Sequence, residues 1–235
     1  MLKILASIQN ISEAKILINS DIDIIDLKDP SKGALGKLNI NDIVNIINFI
    51  DKKKLTSSTI GDLPNNKKLI SKSVDELSIL NIDFIKIGVY ERSYINTLAE
   101  VNSCKKLIAV FFADLFLPKE KDLLFLKESG FSGVMIDTSN KKLGNLFDHA
   151  SFSEINSFTS NAKKLNLLTG IAGSINESHI NQISKINPNY MGFRGALCEN
   201  KLIRNSTISA NNVKNIVHQV KISREISMSA WMNEN

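Results

Sequence analysis

The sequence predicts a single-domain α/β protein with the (β/α)8 fold, the TIM barrel. Short β-rich runs alternate with longer amphipathic segments, and eight such runs recur about every 25 residues, as in these barrels. The chain length of 235 residues suits one barrel. A doubly wound open sheet shows the same alternation, but no GxGxxG follows the first run and no linker rich in proline or glycine divides the chain. We therefore expect one barrel domain.

Eight strands are predicted where mainly apolar residues form a short run that polar or turn-forming residues bound on both sides. In chain order the predicted strands are Leu2–Ser7, Ile24–Lys28, Leu55–Thr59, Phe84–Gly88, Leu107–Phe112, Gly133–Asp137, Leu168–Ala172 and Tyr190–Phe193.

The segments between the strands carry apolar residues three and four positions apart, which is typical of amphipathic helices. Ile40–Ile50 is a clear example. A final helix is predicted from Asn211 to Ile226. The barrel is therefore expected to span residues 1–226, followed by a tail at 227–235 that carries the single tryptophan, Trp231.

The composition predicts a cytoplasmic protein that binds a small anionic molecule. The net charge is +5, but the lysines are scattered and seldom interleaved with aromatics, which argues against nucleic acid. No apolar run is long enough to span a membrane, and the first ten residues do not resemble a secretory signal. Cys104 and Cys198 form no metal-binding spacing. A modest positive field favours phosphorylated or acidic substrates.

Four charged residues are predicted in or at the ends of otherwise apolar strands: Asp26, Lys28, Lys86 and Asp137. In TIM barrels the active site is built at the C-terminal ends of the strands, so these residues are candidates for chemistry. The four come from the second, fourth and sixth strands, and alternate strands contribute to the same interior layer. We expect Lys28, Lys86 and Asp137 to converge at one depth, with Asp26 one layer below.

Two lysines in an apolar barrel mouth favour chemistry through an imine. Burial and a second nearby ammonium lower the pKa of a lysine, and a neutral amine can form a Schiff base with a carbonyl. The neighbouring carboxylates can transfer protons. The alternative is that Asp26–Lys28 and Lys86–Asp137 are buried structural ion pairs, although such pairs contribute little to stability.

Small residues after the last two strands predict a phosphate site, because backbone amides in these loops often bind phosphate in TIM barrels. The side chain of the arginine there is expected to fork onto phosphate oxygens. Lys141, in the loop after the sixth strand, is a further candidate contact or proton carrier. Asp62 and Asp114 follow strands and either act in the site or cap turns. The predicted phosphate-binding residues are Gly173, Ser174, Arg194, Gly195 and Ala196.

Six segments together resemble the (5-formylfuran-3-yl)methyl phosphate synthase family of methanofuran biosynthesis, also called 4-(hydroxymethyl)-2-furancarboxaldehyde-phosphate synthase. The resemblance extends from the first strand to about residue 204. The segments are IDLKDPSKGALG, STIGDLP, FIKIGVY, MIDTSNKKLGNLFDH, IAGSI and FRGALCE.

The resemblance implies a TIM-barrel lyase that uses no metal and no organic cofactor. It would condense two molecules of glyceraldehyde 3-phosphate into one furan aldehyde phosphate, with release of phosphate and water. By position in the motifs, Lys28 would be the Schiff-base lysine and Lys86 the proton acceptor. Asp26, Asp137 and Lys141 would assist proton transfer and substrate binding. A homo-oligomer is expected.

The sequence departs from the family after the fifth strand, where VFFAD stands in place of a tyrosine-containing AGYAD and Phe112 lacks the hydroxyl. The segment after Glu199 carries no assignment. The alternatives are a class I aldolase acting on another sugar phosphate, a sugar-phosphate isomerase, a non-catalytic phosphometabolite-binding barrel and a basic nucleic-acid binder.

Overall fold

The computed structural model describes the backbone of residues 2–233 and the side chains through Ile226. Within this range eight parallel strands close into a barrel in the order β1 to β8, and the last strand pairs with the first. This confirms the predicted fold. The strands are β1 (Lys3–Ile8), β2 (Ile24–Leu27), β3 (Leu55–Thr59), β4 (Phe84–Val89), β5 (Lys106–Phe112), β6 (Gly133–Asp137), β7 (Leu168–Ile171) and β8 (Tyr190–Phe193).

Helices connect the strands and cover the outside of the barrel. They are α1 (Ile11–Leu17), α2 (Ile40–Ile50), α3 (Lys67–Ser78), α4 (Tyr94–Leu98), α5 (Glu120–Glu128), α6 (Leu146–His149), α7 (Phe152–Lys164), α8 (Ile180–Ile186) and α9 (Ala210–Asn233). Every predicted strand end lies within one residue of the observed end, and α2 has its predicted bounds. The side chain of Trp231 lies outside the described residues.

The alternation of side chains along each strand separates two apolar regions. In β2, Ile25 and Leu27 belong to the large core between the barrel wall and the helices, whereas Ile24 belongs to a smaller cluster inside the barrel. Because side chains alternate along a strand, Asp26 shares the inward face with Ile24. In β6, Asp137 shares the inward face with Met135 in the same way. Two charged residues therefore point into the barrel.

The interior of the barrel is not completely filled. A cavity of about 220 Å³ lies toward the N-terminal ends of the strands, with Ile24, Leu55, Phe84 and Ile108 in its wall. Lys86 borders this cavity and also the cavity at the opposite, C-terminal end of the barrel. The charged residues thus lie in a layer between two cavities.

Two features are absent from the residues that the structure describes. None of the helices there is both long and apolar enough to cross a membrane. The same part of the chain contains no group of three histidine, cysteine or acidic side chains placed to hold a metal ion.

Candidate active site

A cavity of about 170 Å³ lies at the C-terminal mouth of the barrel and brings together nine of the ten predicted site residues. The tenth, Asp26, lies beneath Lys28 and is fully buried. The cavity is lined by charged side chains in or shortly after β2, β4 and β6, and by small residues after β7 and β8. The nine are Lys28, Lys86, Asp137, Lys141, Gly173, Ser174, Arg194, Gly195 and Ala196.

Asp26 and Lys86 form an ion pair of 2.7 Å inside the barrel. Asp26 also accepts hydrogen bonds from the hydroxyls of Ser7 (2.7 Å) and Ser57 (2.6 Å). Burial opposes ionisation of this carboxyl, but the charges of Lys86 and Lys28 and the hydrogen bonds outweigh it and lower the pKa of Asp26. Asp26 is therefore a carboxylate in the resting protein, in ion-pair contact with the side chain of Lys86.

This pairing corrects the predicted depths. Asp26 lies beside Ser57, and Ser57 lies beside Phe84, two residues before Lys86. Because barrel strands are tilted, the residue level with Asp26 on β4 is Lys86 rather than Phe84. Asp26 and Lys86 share one layer, and Lys28 lies one layer above. The alternative in which Asp26–Lys28 and Lys86–Asp137 form structural ion pairs is also wrong, because Asp26 pairs with Lys86 and Asp137 pairs with Lys141.

Lys28 is the buried lysine that has no direct partner. Its side chain makes no hydrogen bond or ion pair with any other residue the structure describes, although Lys28 is only 5% exposed. Burial is the main reason that its pKa falls from 10.5 to about 7. The Asp137 carboxylate opposes this fall, whereas the charges of Lys86 and Arg204 promote it. At neutral pH a large fraction of Lys28 is therefore the free amine.

Asp137 and Lys141 form a second ion pair at the rim of the cavity. Lys141 also donates to the hydroxyl of Thr138 (3.0 Å), and the backbone N–H of Thr138 donates to Asp137 (2.7 Å). Burial opposes ionisation of Asp137, but Lys141, Lys28 and these hydrogen bonds lower its pKa to about 2. Burial lowers the pKa of Lys141. Asp137 thus stays ionised beside Lys28.

The turns after β7 and β8 present backbone amides to the cavity. Gly173 and Ser174 both have positive φ angles, of 107° and 52°. The N–H groups of Ser174, Gly195 and Ala196 have no backbone or side-chain acceptor in the described part of the chain. Amides without an acceptor can donate to an anion, and phosphate binding by these two loops stays a prediction.

The guanidinium of Arg194 is not free to bind phosphate in the cavity, contrary to the prediction. Its guanidinium makes two hydrogen bonds to the buried carboxylate of Glu13 (2.6 and 3.1 Å) and three to backbone carbonyls, those of Ser7, Arg204 and Ser206. These contacts use all five donors. The prediction that Arg194 forks onto phosphate is therefore wrong, because no donor remains.

Sequence analysis missed Arg204, which also lines the cavity. It lies after β8 in the loop of residues 198–209, where no strand or motif drew attention to it. Its guanidinium is close enough to Asp137 and Lys28 to influence their electrostatics. Burial lowers the pKa of Arg204. The sequence would have indicated Arg204 as a site residue only if the loop of residues 198–209 had been assumed to fold back over the barrel mouth.

The two aspartates whose role was left open both brace loops. Asp62 accepts from the backbone amides of Ala34 and Leu35 (2.8 Å each), which holds the loop after β2. Asp114 accepts from the amides of Ser139 and Asn140 in the loop after β6. Their carboxylates therefore support the backbone that follows Lys28 and Asp137.

Phe112, the residue that departs from the family pattern, is fully buried and stacks on the ring of Tyr90 at 4.8 Å. The Tyr90 hydroxyl donates to Asp62. The aromatic pair therefore packs beneath the loop that Asp62 supports.

Residues 4–217 match the family model described as 4-HFC-P synthase. The chain belongs to the 4-HFC-P synthase family. A relative from Archaeoglobus fulgidus, "(5-formylfuran-3-yl)methyl phosphate synthase", is 31% identical over 215 residues, 84% of this chain and 91% of that protein. A relative of the same name from Methanococcus aeolicus is 29% identical and covers 91% of this chain and 97% of its own. The 4-HFC-P synthase family is thus a family of synthases.

Solved structures share the fold at low identity. The 3-hexulose-6-phosphate synthase of Salmonella typhimurium has a TM-score of 0.64 at 12% identity, over 94% of this chain and 100% of that one. The phosphoribosyl anthranilate isomerase of Thermus thermophilus also has a TM-score of 0.64, at 10% identity, over 94% of this chain and 98% of that one. These similarities support the TIM barrel.

Proposed function

We propose that this protein condenses two molecules of glyceraldehyde 3-phosphate into (5-formylfuran-3-yl)methyl phosphate, through an imine on Lys28. The balance requires release of one phosphate and two waters. The observation that carries the proposal is the buried, unpaired Lys28, whose pKa is about 7. A primary amine that is neutral at working pH is the nucleophile that imine formation needs.

In the first step Lys28 adds to carbon 1 of one triose. The Lys86 ammonium donates a proton to the departing hydroxyl, so that water leaves, an iminium forms and Lys86 becomes a neutral amine. Neutral Lys86 then removes the proton from carbon 2, which the iminium has acidified. Lys86 thus acts as acid and then as base, and the negative charge of Asp26 at 2.7 Å favours its return to the ammonium form.

Phosphate leaves in the second step. The electron pair of the enamine expels phosphate from carbon 3 and regenerates the iminium, and the Lys141 ammonium supplies the proton that the departing oxygen needs. The product on Lys28 is an enol whose carbon 3 is a nucleophile. Asp137, held ionised by Lys141 and Lys28, compensates the iminium charge throughout.

The carbon skeleton of the product determines how the second triose reacts. The phosphate-bearing CH2 group is attached to a ring carbon that has two further carbon neighbours, so that ring carbon must be carbon 2 of the second triose. This triose therefore reacts as its ketose isomer, which forms when a proton moves from carbon 2 to carbon 1 and the proton of the carbon 2 hydroxyl passes to the carbonyl oxygen on carbon 1. Lys86 can catalyse that transfer with the chemistry it uses on the first triose.

Ring closure completes the reaction. The enol carbon attacks the ketone, the carbon 1 hydroxyl of the second triose closes onto carbon 2 of the first, and two waters leave to give the aromatic furan. Hydrolysis of the imine then frees Lys28, and the imine carbon becomes the formyl carbon. We place the product in the synthesis of a methanofuran-type cofactor and the enzyme in the cytoplasm.

The test is incubation of the purified protein with glyceraldehyde 3-phosphate, with the near-ultraviolet spectrum and phosphate release followed together. A conjugated furan aldehyde band with one phosphate per product supports the proposal. Consumption of substrate without the band would indicate an aldolase or isomerase instead. No consumption would leave a phosphometabolite-binding barrel.

A second arm tests the nucleophile. Reduction with borohydride in the presence of substrate should leave a triose-derived mass on Lys28, and Lys28→Arg should abolish it. Lys32→Arg is the matched control, because Lys32 lies in the same segment with its side chain 52% exposed. A trapped adduct in Lys28→Arg would reject the assignment.

A further inference from the structure

The lysines and arginines at the barrel mouth differ in whether they have an acidic partner. Lys86 pairs with Asp26, and Lys141 pairs with Asp137. Two more cations that line the cavity are paired as well, since Arg194 contacts Glu13 and Lys201 contacts Glu177. Among the residues described, Lys28 and Arg204 are the cations in this cavity that lack a carboxylate partner within 4.0 Å.

Lys28 and Arg204 suit different tasks. The lowered pKa of Lys28 makes it a nucleophile, whereas a guanidinium stays protonated in proteins. The guanidinium of Arg204 donates no hydrogen bond to another described residue, although the side chain is partly buried and lines the cavity. A partly desolvated arginine with free donors is suited to an incoming oxyanion, which it can bind in a bidentate manner.

The backbone around Arg204 is held by a buried network. Glu13, on α1, is fully buried and binds the guanidinium of Arg194. Arg194 in turn donates from Nε to the carbonyl of Arg204 (2.9 Å) and from a terminal nitrogen to the carbonyl of Ser206 (2.9 Å). Glu13 also accepts from the amide of Ile208 (3.2 Å). These contacts fix the loop of residues 198–209 against the mouth.

We propose that Arg204 binds a phosphate group of a triose substrate and that the buried Glu13–Arg194 pair is the positioning device that holds Arg204 over the cavity. The inference rests on the proposed function for the identity of the substrate. Arg204 would supply a fixed positive charge to a phosphate dianion, which could also accept hydrogen bonds from the backbone amides of Ser174, Gly195 and Ala196. Arg194 acts through Arg204 and does not contact the phosphate.

The test measures the affinity for inorganic phosphate by titration calorimetry, which needs no turnover. Arg204→Gln should weaken phosphate binding about ten-fold or more, since a charge-assisted contact is lost. Lys67→Gln is the control for the loss of one positive charge: its side chain is 52% exposed outside this cavity, and it should change the affinity less than two-fold. Unchanged phosphate binding by Arg204→Gln would overturn the inference.

A second measurement separates binding from a general loss of structure. Borohydride trapping on Lys28 is compared for glyceraldehyde 3-phosphate and for unphosphorylated glyceraldehyde. Arg204→Gln should lower the trapping rate with the phosphorylated aldehyde alone, and Arg204→Lys should restore part of it. An equal loss with both aldehydes would overturn the inference.

Arg194→Lys tests the positioning role. It keeps the charge but cannot make five hydrogen bonds, so it should weaken phosphate binding while trapping of glyceraldehyde persists. Full phosphate affinity in this variant would reject the positioning role. If wild-type protein forms no imine with either aldehyde, the proposed function fails, while the phosphate titrations still decide the role of Arg204.

Discussion

The carboxylate of Asp26 lies 2.7 Å from the ammonium of Lys86, whereas Lys28, two residues further along the same strand face, contacts no carboxylate directly. The two buried lysines therefore differ in whether a carboxylate lies directly beside them, although they share one cavity. A paired lysine is held as an ammonium, and an unpaired buried one loses its proton more readily. In the proposed mechanism this difference would place a proton donor beside a nucleophile.

Imine formation should depend on pH with an apparent pKa of about 7, the value for Lys28. Below this pKa the amine is protonated, so the trapping rate should fall about ten-fold per pH unit, and above it the rate should level off. The measurement is the rate of borohydride trapping from pH 5 to pH 9. A rate that rises until about pH 10 would show an unperturbed lysine.

Asp137→Asn should move this pH profile to lower pH. The carboxylate raises the pKa of Lys28, so its removal allows Lys28 to lose its proton more easily. Asp75→Asn, at an exposed position on α3, is the control and should leave the profile in place. A shift to higher pH in Asp137→Asn would contradict the electrostatics described here.

Lys28→Met should be more stable than wild type at pH 7. For a lysine whose pKa is lowered on folding, the folded state disfavours the charge, so the destabilisation is complete below about pH 7 and vanishes above the unfolded value of 10.5. A shift of this size corresponds to at most about 5 kcal/mol. Urea unfolding at pH 7 and pH 10 checks the prediction, and an equal stability difference at both would refute it.

Lys86→Met should be destabilised by about 3 to 5 kcal/mol, because Asp26 would remain buried without its counter-charge. Asp26→Asn should be destabilised for the same reason. The double variant should lose less unfolding free energy than the two single variants lose together. A double-mutant cycle of unfolding free energies measures this difference. The exposed pair Lys67–Glu100 is the comparison, where Lys67→Met should lose less than about 1 kcal/mol.

Glu13→Gln should be destabilised by about 3 to 5 kcal/mol, since the buried guanidinium of Arg194 would lose its carboxylate partner. Denaturant unfolding of the variant measures the loss. A loss of unfolding free energy below about 1 kcal/mol would contradict this prediction. It would mean that the carbonyls of Ser7, Arg204 and Ser206 are sufficient to stabilise the buried guanidinium of Arg194.

The barrel and most of its mouth were predictable from the sequence for a simple reason. Parallel strands buried on both faces form short apolar runs, so a charged residue such as Lys86 or Asp137 within or directly after such a run stands out. The ends of all strands meet at one rim, which brings those residues together whatever the details of packing.

What could not be predicted depends on tilt and on distant contacts. The pairing of Asp26 with Lys86 follows from the inclination of the strands, which no single run of residues encodes. The guanidinium of Arg194 is bound by Glu13, which lies 181 positions earlier in the chain. Arg194 in turn binds the backbone carbonyl of Arg204 and holds that loop near the cavity. A rule based on strand ends selects Arg194, which directly follows β8, and passes over Arg204, which lies ten residues further along the chain.

The cavity beneath Lys86 also marks where this protein can be engineered without altering its chemistry. Most TIM barrels fill their axis with layers of side chains, whereas this one leaves about 220 Å³ open below the charged layer. Larger apolar side chains at Leu55 or Ile108, in the wall of that space, would add contacts where dispersion is now lost. Such substitutions are therefore expected to raise the thermal stability without changing the candidate active site, which lies at the opposite end of the barrel.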